Sequence, residues 1–413
     1  MRVARTYSIV DGAPITSGDL LRNNQDRPMP HDPTTWIATE LAELDAQGLR
    51  RTLCERQLGQ GAVIRVDGHE LVNFGSNDYL GLASHQCHAA VCTAIDSVGW
   101  GAGASPLVVG RGSEHAALER ELADFEGTEA ALLFSSGYAA NVGAIAALAG
   151  RSDAVFSDAK NHASIIDGAR LSKAATVVYR HNDLEDLERV LCENRGAGRV
   201  LVVTESVFSM DGDLAPLADI SKACRLHGAW LMVDEAHGAG VFGKRGAGLV
   251  QELGLEGEVQ VHMGTLGKAV GSAGGYLAAD RRWIDLLLNS ARSFIYSTAP
   301  PPAQAAASLR GLEIIASQRG ATLRDRLWRN INNFGELSSQ EPVSAIVSVM
   351  VGQNEPAVQA AEALLQAGFL APAIRFPTVP RGTARLRITL SAAHETGQIE
   401  ELHRELRKLA IVN

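Results

Sequence analysis

Lys268 stands in Val261-His-Met-Gly-Thr-Leu-Gly-Lys-Ala-Val-Gly271, among small residues just past an apolar run, Val259–Met263. With nothing bulky around its backbone, such a lysine can reach deep into a site. Desolvation there makes its amine easier to keep neutral, and a neutral lysine is the nucleophile that forms Schiff bases. The bland reading, a solvated loop lysine, is the commoner fate of any one lysine. A second stretch, Trp230-Leu-Met-Val-Asp-Glu-Ala-His-Gly238, shifts the balance. There an apolar strand ends in Asp234, and open α/β sheets bind ligands at the carboxyl ends of their strands. A lysine 34 positions after such an aspartate suggests pyridoxal phosphate (PLP). The lysine would hold the aldehyde as an imine, and the carboxylate would keep the pyridine nitrogen protonated as an electron sink.

Further residues fit the same chemistry. Phe134-Ser-Ser-Gly-Tyr-Ala-Ala-Asn141 leaves a strand and opens a helix, whose free N–H groups suit a phosphate. A generic glycine turn is the competing explanation for Gly137. Thr265 could offer the same phosphate a hydroxyl, or serve as a turn hydroxyl. His162 follows a strand and could stack on an aromatic ring, or be a solvated loop histidine. Ser209, in Glu205-Ser-Val-Phe-Ser-Met-Asp-Gly-Asp213, is a candidate donor to the ring. The stretch 375–387 holds four arginines, whose forked side chains bind carboxylates bidentately. Alternation puts Arg385 and Arg387 on one face; a solvated edge strand is the plain alternative. Gly75-Ser-Asn-Asp-Tyr-Leu-Gly81 is a polar loop that could bind, or be an Asx turn.

Two motifs mislead. Gly267-Lys268 lacks the P-loop spacing at both ends, since His262 and Ala269 occupy the required positions. Asp-Glu-Ala-His at 234–237 spells a helicase motif, but no basic surface accompanies it. The run Gly101–Pro106 is not a dinucleotide fingerprint, because Pro106 replaces the third glycine.

Elements that would position these groups follow from periodicity. The chain has 413 residues, 46% hydrophobic, enough for a large core. Apolar runs at 130–134, 154–157, 175–179, 199–204, 229–233 and 259–263 alternate with helical segments. That is the rhythm of a mostly parallel sheet covered on both faces. Residues 274–278 could add a strand. Ahead of this α/β unit lie an irregular arm (1–34) and a helix and hairpin segment (35–83) turning at Asp67-Gly68. The large domain spans 84–300, a connecting helix 301–330, and a small α+β domain 331–413. Net charge is −9 with no basic run, so nucleic acid is an unexpected partner. Five scattered cysteines without metal-type spacing read as reduced thiols in a cytoplasmic protein, with no metal. No signal peptide is visible, and the uncharged span 130–150 reads as strand, turn and helix rather than a membrane segment.

Several motifs, in order, resemble the α-oxoamine synthases, a PLP-dependent acyltransferase family of aminotransferase-like fold (fold type I). They are SNDYLG (76–81), FSSGYAAN (134–141), NHASIIDGARL (161–171), TESVFSMDGD (204–213), VDEAHGAG (233–240), GTLGKAVG (264–271), IYST (295–298) and TARLRITLSAAH (383–394). The likeness runs from about Trp36 to the C-terminus. IYSTAPPP and IRFPTVPRGTARLRITL look most like the branch that condenses L-alanine with pimeloyl-CoA in biotin synthesis, although Phe376 stands where that branch usually has proline. SDAKNHASIIDGARL and GTLGKAVGSAGGY are close to the branch that acetylates glycine. A non-catalytic partner subunit of the same fold would be expected to lack the lysine.

The resemblance implies a role for each residue. Lys268 carries the cofactor, Asp234 pairs with its pyridine nitrogen, and His162 stacks on its ring. Ser209 and His237 bond near the ring's phenolic oxygen. Gly137, Tyr138 and Thr265 hold the phosphate. Ser297 and Thr298 reach the phosphate of a neighbouring subunit, which implies a homodimer. Arg387 takes the amino acid's carboxylate; Asn77 and Glu205 lie near the acyl transfer; Arg50, Arg375 and Thr378 belong to the substrate pocket.

Overall fold

The computed structural model describes residues 34–412 other than 52, 54, 57–60, 85 and 195. The expected arm therefore lies outside the described residues, save Thr34. The chain divides into two compact units, Met1–Leu53 and Cys54–Asn413. Within the first, the helix Thr35–Ala46 ends where Gly48 takes a positive φ of 62°.

The second unit begins with a hairpin, β1 (Val63–Val66) and β2 (His69–Asn73). Asp67 and Gly68 turn it with φ of 49° and 81°, the doubly positive geometry of a two-residue loop. Seven strands then build the main sheet: β3 (Ala130–Phe134), β4 (Ala154–Asp158), β5 (Ala175–Tyr179), β6 (Val200–Glu205), β7 (Trp230–Asp234), β8 (Val261–Thr265) and β9 (Gly275–Ala279). Their order is β3-β9-β8-β7-β6-β4-β5. All neighbours run parallel except β9, which is antiparallel to both β3 and β8. β3 and β8 consequently point the same way, and every strand but β9 delivers its C-terminal end to one edge. β3, β4 and β9 are buried throughout, as strands covered on both faces must be, while β5 at the sheet's border is mostly exposed.

Two core clusters lie on opposite faces of this sheet. One includes Val233, Leu231 and Phe156, the other Met232, Val155 and Leu201, in strict alternation along the strands. The uncharged span 130–150 is β3, a turn, and the helix Gly137–Leu148 capped by Ser136, whose Oγ accepts from the Ala139 N–H at 3.1 Å. Among the described residues no helix is long and apolar enough to cross a membrane.

The expected connecting helix is two helices, Pro302–Ala316 and Gln318–Ser338. Ser317 between them is extended (φ −86°, ψ 173°). At Gly320 a Cβ would lie 2.1 Å from the Ile315 carbonyl oxygen, so only glycine lets the second helix fold back so closely. The second helix also runs past residue 330. A smaller sheet follows, ordered β10 (Ile346–Gly352), β13 (Ala384–Thr389), β12 (Ala373–Ile374). β11 (Phe369–Leu370) instead joins the N-terminal hairpin, pairing parallel with β2 through Phe369↔Val72. A five-residue π-helix, Pro106–Gly110, has no counterpart in the sequence pattern.

Candidate active site

The C-terminal ends of β4, β6, β7 and β8 and the N-terminus of helix Gly137–Leu148 converge on a cavity of about 190 Å³. Lys268, Asp234, His162, Glu205, His237, Thr265, Gly137 and Tyr138 all line it, together with Asn141, Ser164, Ala236 and Met263. Eight residues from five separate stretches thus meet in one place.

The Lys268 amine lies 2.8 Å from His237 Nε2. Burial lowers its pKa to about 8, against the attraction of Asp234 and Glu205. His237 is buried, and its other nitrogen, Nδ1, is 2.5 Å from the Tyr79 hydroxyl. Burial first, then the Lys268 and Arg387 charges, hold this imidazole neutral well below the usual histidine pKa. A neutral ring between a phenol and an amine can carry the two bonds in either direction, so His237 links Lys268 to Tyr79. Burial raises the Tyr79 phenol to about 12 and keeps it a hydrogen-bond donor.

Asp234 ends β7. Its Oδ1 accepts from the Ala236 N–H at 2.9 Å and its Oδ2 from Asn141 Nδ2 at 2.8 Å. Asn141 Nδ2 also reaches Ser164 Oγ at 2.9 Å, whereas Asn141 Oδ1 is buried without a protein partner. Ser164 Oγ in turn meets His162 Nδ1 at 2.7 Å, which fixes the ring. His162 remains exposed where it lines the cavity, yet the enclosing walls hold its pKa below the usual value, against the attraction of Asp234. Glu205 is buried at the end of β6, and its Oε1 accepts from the His162 N–H at 2.6 Å. Burial, then the nearby Asp234 charge, raise its pKa well above the carboxylate range.

Arg387 sits on β13, the middle strand of the small sheet, and is buried, as is Arg385. The edge-strand alternative therefore does not hold. Arg387 Nε donates to the Ser209 carbonyl at 2.6 Å, Nη1 to Thr389 Oγ1 at 3.0 Å, and Nη2 to Asn77 Oδ1 at 3.1 Å. A guanidinium has five N–H groups; these bonds use three, and the Tyr79 phenol is a further hydrogen-bond partner of Arg387. Asn77 Oδ1 also lies 3.4 Å from the Tyr79 hydroxyl, joining Arg387 to the His237–Lys268 pair. Arg385 instead pairs with Asp211.

Of the other expected residues, Tyr138 and Thr265 stand in the cavity wall and the rest lie elsewhere. Ser209 does not line the cavity; its carbonyl serves Arg387. Tyr138 lines the rim, exposed, with its hydroxyl on Asp167 Oδ2 at 2.6 Å. Thr265 Oγ1 accepts from the Gly267 N–H at 3.2 Å, a turn bond that leaves its own proton to donate. Ser297 and Thr298 follow the short helix Arg292–Ile295, outside the cavity lining. Thr378 N–H bonds the Arg375 carbonyl at 3.0 Å in a separate loop. Arg50 belongs to the first unit, where it pairs with Asp45 at 2.6 Å. Tyr79, Asn141 and Ser164 were not singled out from sequence as site residues. A lone asparagine inside the otherwise apolar GYAANVGAIAAL helix was the available signal for Asn141.

These residues suit PLP. A Cβ on Gly137 would stand 2.9 Å from Met263 Cε and 3.4 Å from Thr265 Cβ, so glycine keeps that corner open. A lysine and a carboxylate share the lining, and the buried Asn141 Oδ1 awaits a donor. Among the described residues no group of side chains could hold a metal ion.

Comparison with known proteins gives a consistent result. Residues 69–406 match the family model "Aminotransferase class I and II". The 8-amino-7-oxononanoate synthase of Anaeromyxobacter dehalogenans (strain 2CP-1) is 50% identical over 371 residues, 88% of this chain and 93% of that one. The enzyme of that name from Geobacter sulfurreducens is 49% identical over 374 residues, covering 89% and 96%. Among solved structures, serine palmitoyltransferase from S. paucimobilis with a bound PLP–myriocin aldimine superposes with a TM-score of 0.86 at 30% identity, over 92% of this chain and 98% of that one. The 8-amino-7-oxononanoate synthase of Francisella tularensis superposes with a TM-score of 0.71 at 30% identity, over 82% and 97%.

Proposed function

The chain belongs to the class I and II aminotransferase family, as a PLP-dependent α-oxoamine synthase, and from that membership we propose that it condenses L-alanine with a pimeloyl thioester. The products are 8-amino-7-oxononanoate, the free thiol carrier and CO2, a step of biotin biosynthesis. The observation that carries this reading is the shared cavity of Lys268 and Asp234, with Arg387 joined to it through Asn77, Tyr79 and His237. Relatives of that name at about half identity favour alanine and pimelate over the glycine and acetyl-CoA pair.

In this reading Lys268, His162, Asp234, Asn141, Thr265 and the Gly137 helix start hold PLP, which supplies an electron sink for the pair left on the substrate's α-carbon. The chain's own groups do the rest. The Arg387 guanidinium takes the alanine carboxylate. Lys268, whose amine is half neutral near pH 8, accepts the Cα proton and passes one back at the end. Between those events Cα bonds to the thioester carbonyl carbon and the thiolate leaves, taking a proton. The carboxylate then departs as CO2, and its electron pair accepts the returning proton. Burial favours the protonated form of Glu205, and in that form it can donate a hydrogen bond toward the cavity. Ser297 and Thr298 would serve a partner's site in a homodimer, and the cytoplasm is the proposed compartment.

A panel of alanine, glycine and serine against pimeloyl-CoA, pimeloyl carrier protein and acetyl-CoA, read as thiol release, tests the assignment. Turnover confined to glycine with acetyl-CoA would move the protein to the other branch. No turnover with any pair would remove the synthase reading.

A further inference from the structure

The loop between β6 and β7 folds back on itself through a Val207↔Leu214 bridge, and its tip carries the Ser209 carbonyl that accepts from Arg387 Nε. The short tip, Ser209-Met-Asp-Gly212, closes through the Gly212 N–H on the Phe208 carbonyl at 2.8 Å, and Asp211 pairs with Lys160 and Arg385. Anchors at the base of the loop add to these in deciding where the Ser209 carbonyl sits. On the main-sheet side Lys160 holds Asp211 at 2.8 Å, and the anchor of Asp213 is His181. Its Nδ1 lies 2.8 Å from Asp158 Oδ1 at the end of β4, and its Nε2 lies 2.6 Å from Asp213 Oδ2 in the loop. Both ring nitrogens face carboxylates, so both carry protons and the ring is a cation. Burial would lower its pKa, but the two aspartates outweigh burial and push it up to about 9. The ring edge also packs on Phe208, 4.4 Å between centroids. Asn182 adds bonds to Asp213 Oδ2 at 2.9 Å and to the Leu214 carbonyl at 3.0 Å, while Asp213 Oδ1 is buried with no partner. His181 is therefore the one cation that meets the Asp213 charge among the described residues.

We propose that His181 is a positioning residue for amino-acid recognition: by clamping Asp213 to Asp158 it sets the loop whose Ser209 carbonyl orients the Arg387 guanidinium. The proposal rests on the reading that Arg387 receives the substrate carboxylate. The Ser209 carbonyl holds Arg387 at Nε, whereas Thr389 and Asn77 hold its terminal nitrogens. Release of the Nε bond lets the planar fork rotate, and a bidentate carboxylate pair tolerates rotation poorly. Acyl-thioester binding does not depend on this bond, which gives the clamp a distinct signature.

The test uses His181→Gln, Asp213→Asn and Arg387→Lys in the PLP-loaded protein. Calorimetry measures L-alanine binding, and the acyl-CoA KM, cofactor retention and unfolding midpoint are measured alongside. For His181→Gln and Asp213→Asn the alanine dissociation constant should rise on the order of 10-fold, the weight of one charge-assisted hydrogen bond. The acyl-CoA KM and cofactor retention should stay at wild-type values. Unchanged alanine binding in both, with Arg387→Lys still weakening it, overturns the clamp but leaves the carboxylate reading standing. Unchanged binding in Arg387→Lys overturns both. Loss of alanine and cofactor affinity together with a fallen midpoint also overturns the proposal, since it marks a general structural role. If His181→Gln does not fold, Asp213→Asn decides the matter by the same readings.

Discussion

The half-neutral amine at position 268 makes a prediction that does not depend on turnover. Strip the cofactor from the protein and follow the rate at which added PLP forms the imine absorbance, between pH 6.5 and 10. Only the neutral amine attacks the aldehyde. With its pKa at about 8, the neutral share is roughly a tenth at pH 7 and roughly nine-tenths at pH 9, so the rate should rise about 10-fold and then level off. An ordinary exposed lysine, with a pKa near 10.4, would give about a 100-fold climb over the same span with no plateau. The sign follows from the causes: burial lowers the pKa, and Asp234 is the largest influence raising it. Asp234→Asn should therefore move the plateau to lower pH, even though it weakens the final complex. Stopped-flow absorbance in buffers of constant ionic strength is the assay. A steady climb of about 100-fold, or a plateau that Asp234→Asn moves upward, would refute the reasoning that this amine is desolvated beside that carboxylate.

Three other outcomes are expected. Tyr79→Phe leaves His237 Nδ1 buried without its partner, which costs about 1–3 kcal/mol, so kcat should fall by roughly 5- to 150-fold; an unchanged rate would detach Tyr79 from the chemistry. Gly137→Ala drives a methyl toward Met263 Cε, and the overpacking, about 1–3 kcal/mol, should appear as weaker PLP binding in a fluorescence titration rather than as unfolding. Gly212 has a φ of 78°, and a Cβ there would lie 2.0 Å from the Ile346 carbonyl oxygen, so Gly212→Ala should lower the urea midpoint by the equivalent of about 3 kcal/mol or more. A loss below about 1 kcal/mol would mean that the loop has room the structure does not show.

The main sheet could be read in the sequence because parallel strands covered on both faces leave uninterrupted apolar runs. Residues that end such runs, Asp234 and Glu205, then fall at the ligand-binding edge by construction. The break at Ser317 could not be read, since the apolar pattern continues through it and only the close approach of Gly320 to Ile315 forces the turn. Asn141 was overlooked because its meaning is a bond to a residue 93 positions away, which no local pattern encodes. Tyr79 shares that limitation, with 158 positions between it and His237. The alternation argument placed Arg385 and Arg387 together, and both are buried, yet their partners separate them: Asp211 takes the one and leaves the other for the Asn77 side. The sequence also suggested an uninterrupted C-terminal domain, whereas β11 crosses to β2, a pairing that depends on register across almost 300 residues.

That crossing has a consequence for how the protein is made. β2 donates through Val72 to Gly368 and through Phe74's N–H to Leu370, and the loop carrying Asn77 and Tyr79 is tied down by bonds from residues 389–392 to Phe74, Asp78 and Tyr79. None of these partners exists until nearly the whole polypeptide has left the ribosome. The main sheet can form on the growing chain, with Lys268 and Asp234 already at one edge, while Arg387 is made and Tyr79 is tied down only after residues 387–392 have been added. A chain truncated before about residue 368 would therefore expose the free edge of β2 and, with PLP added, should colour without discriminating between amino acids.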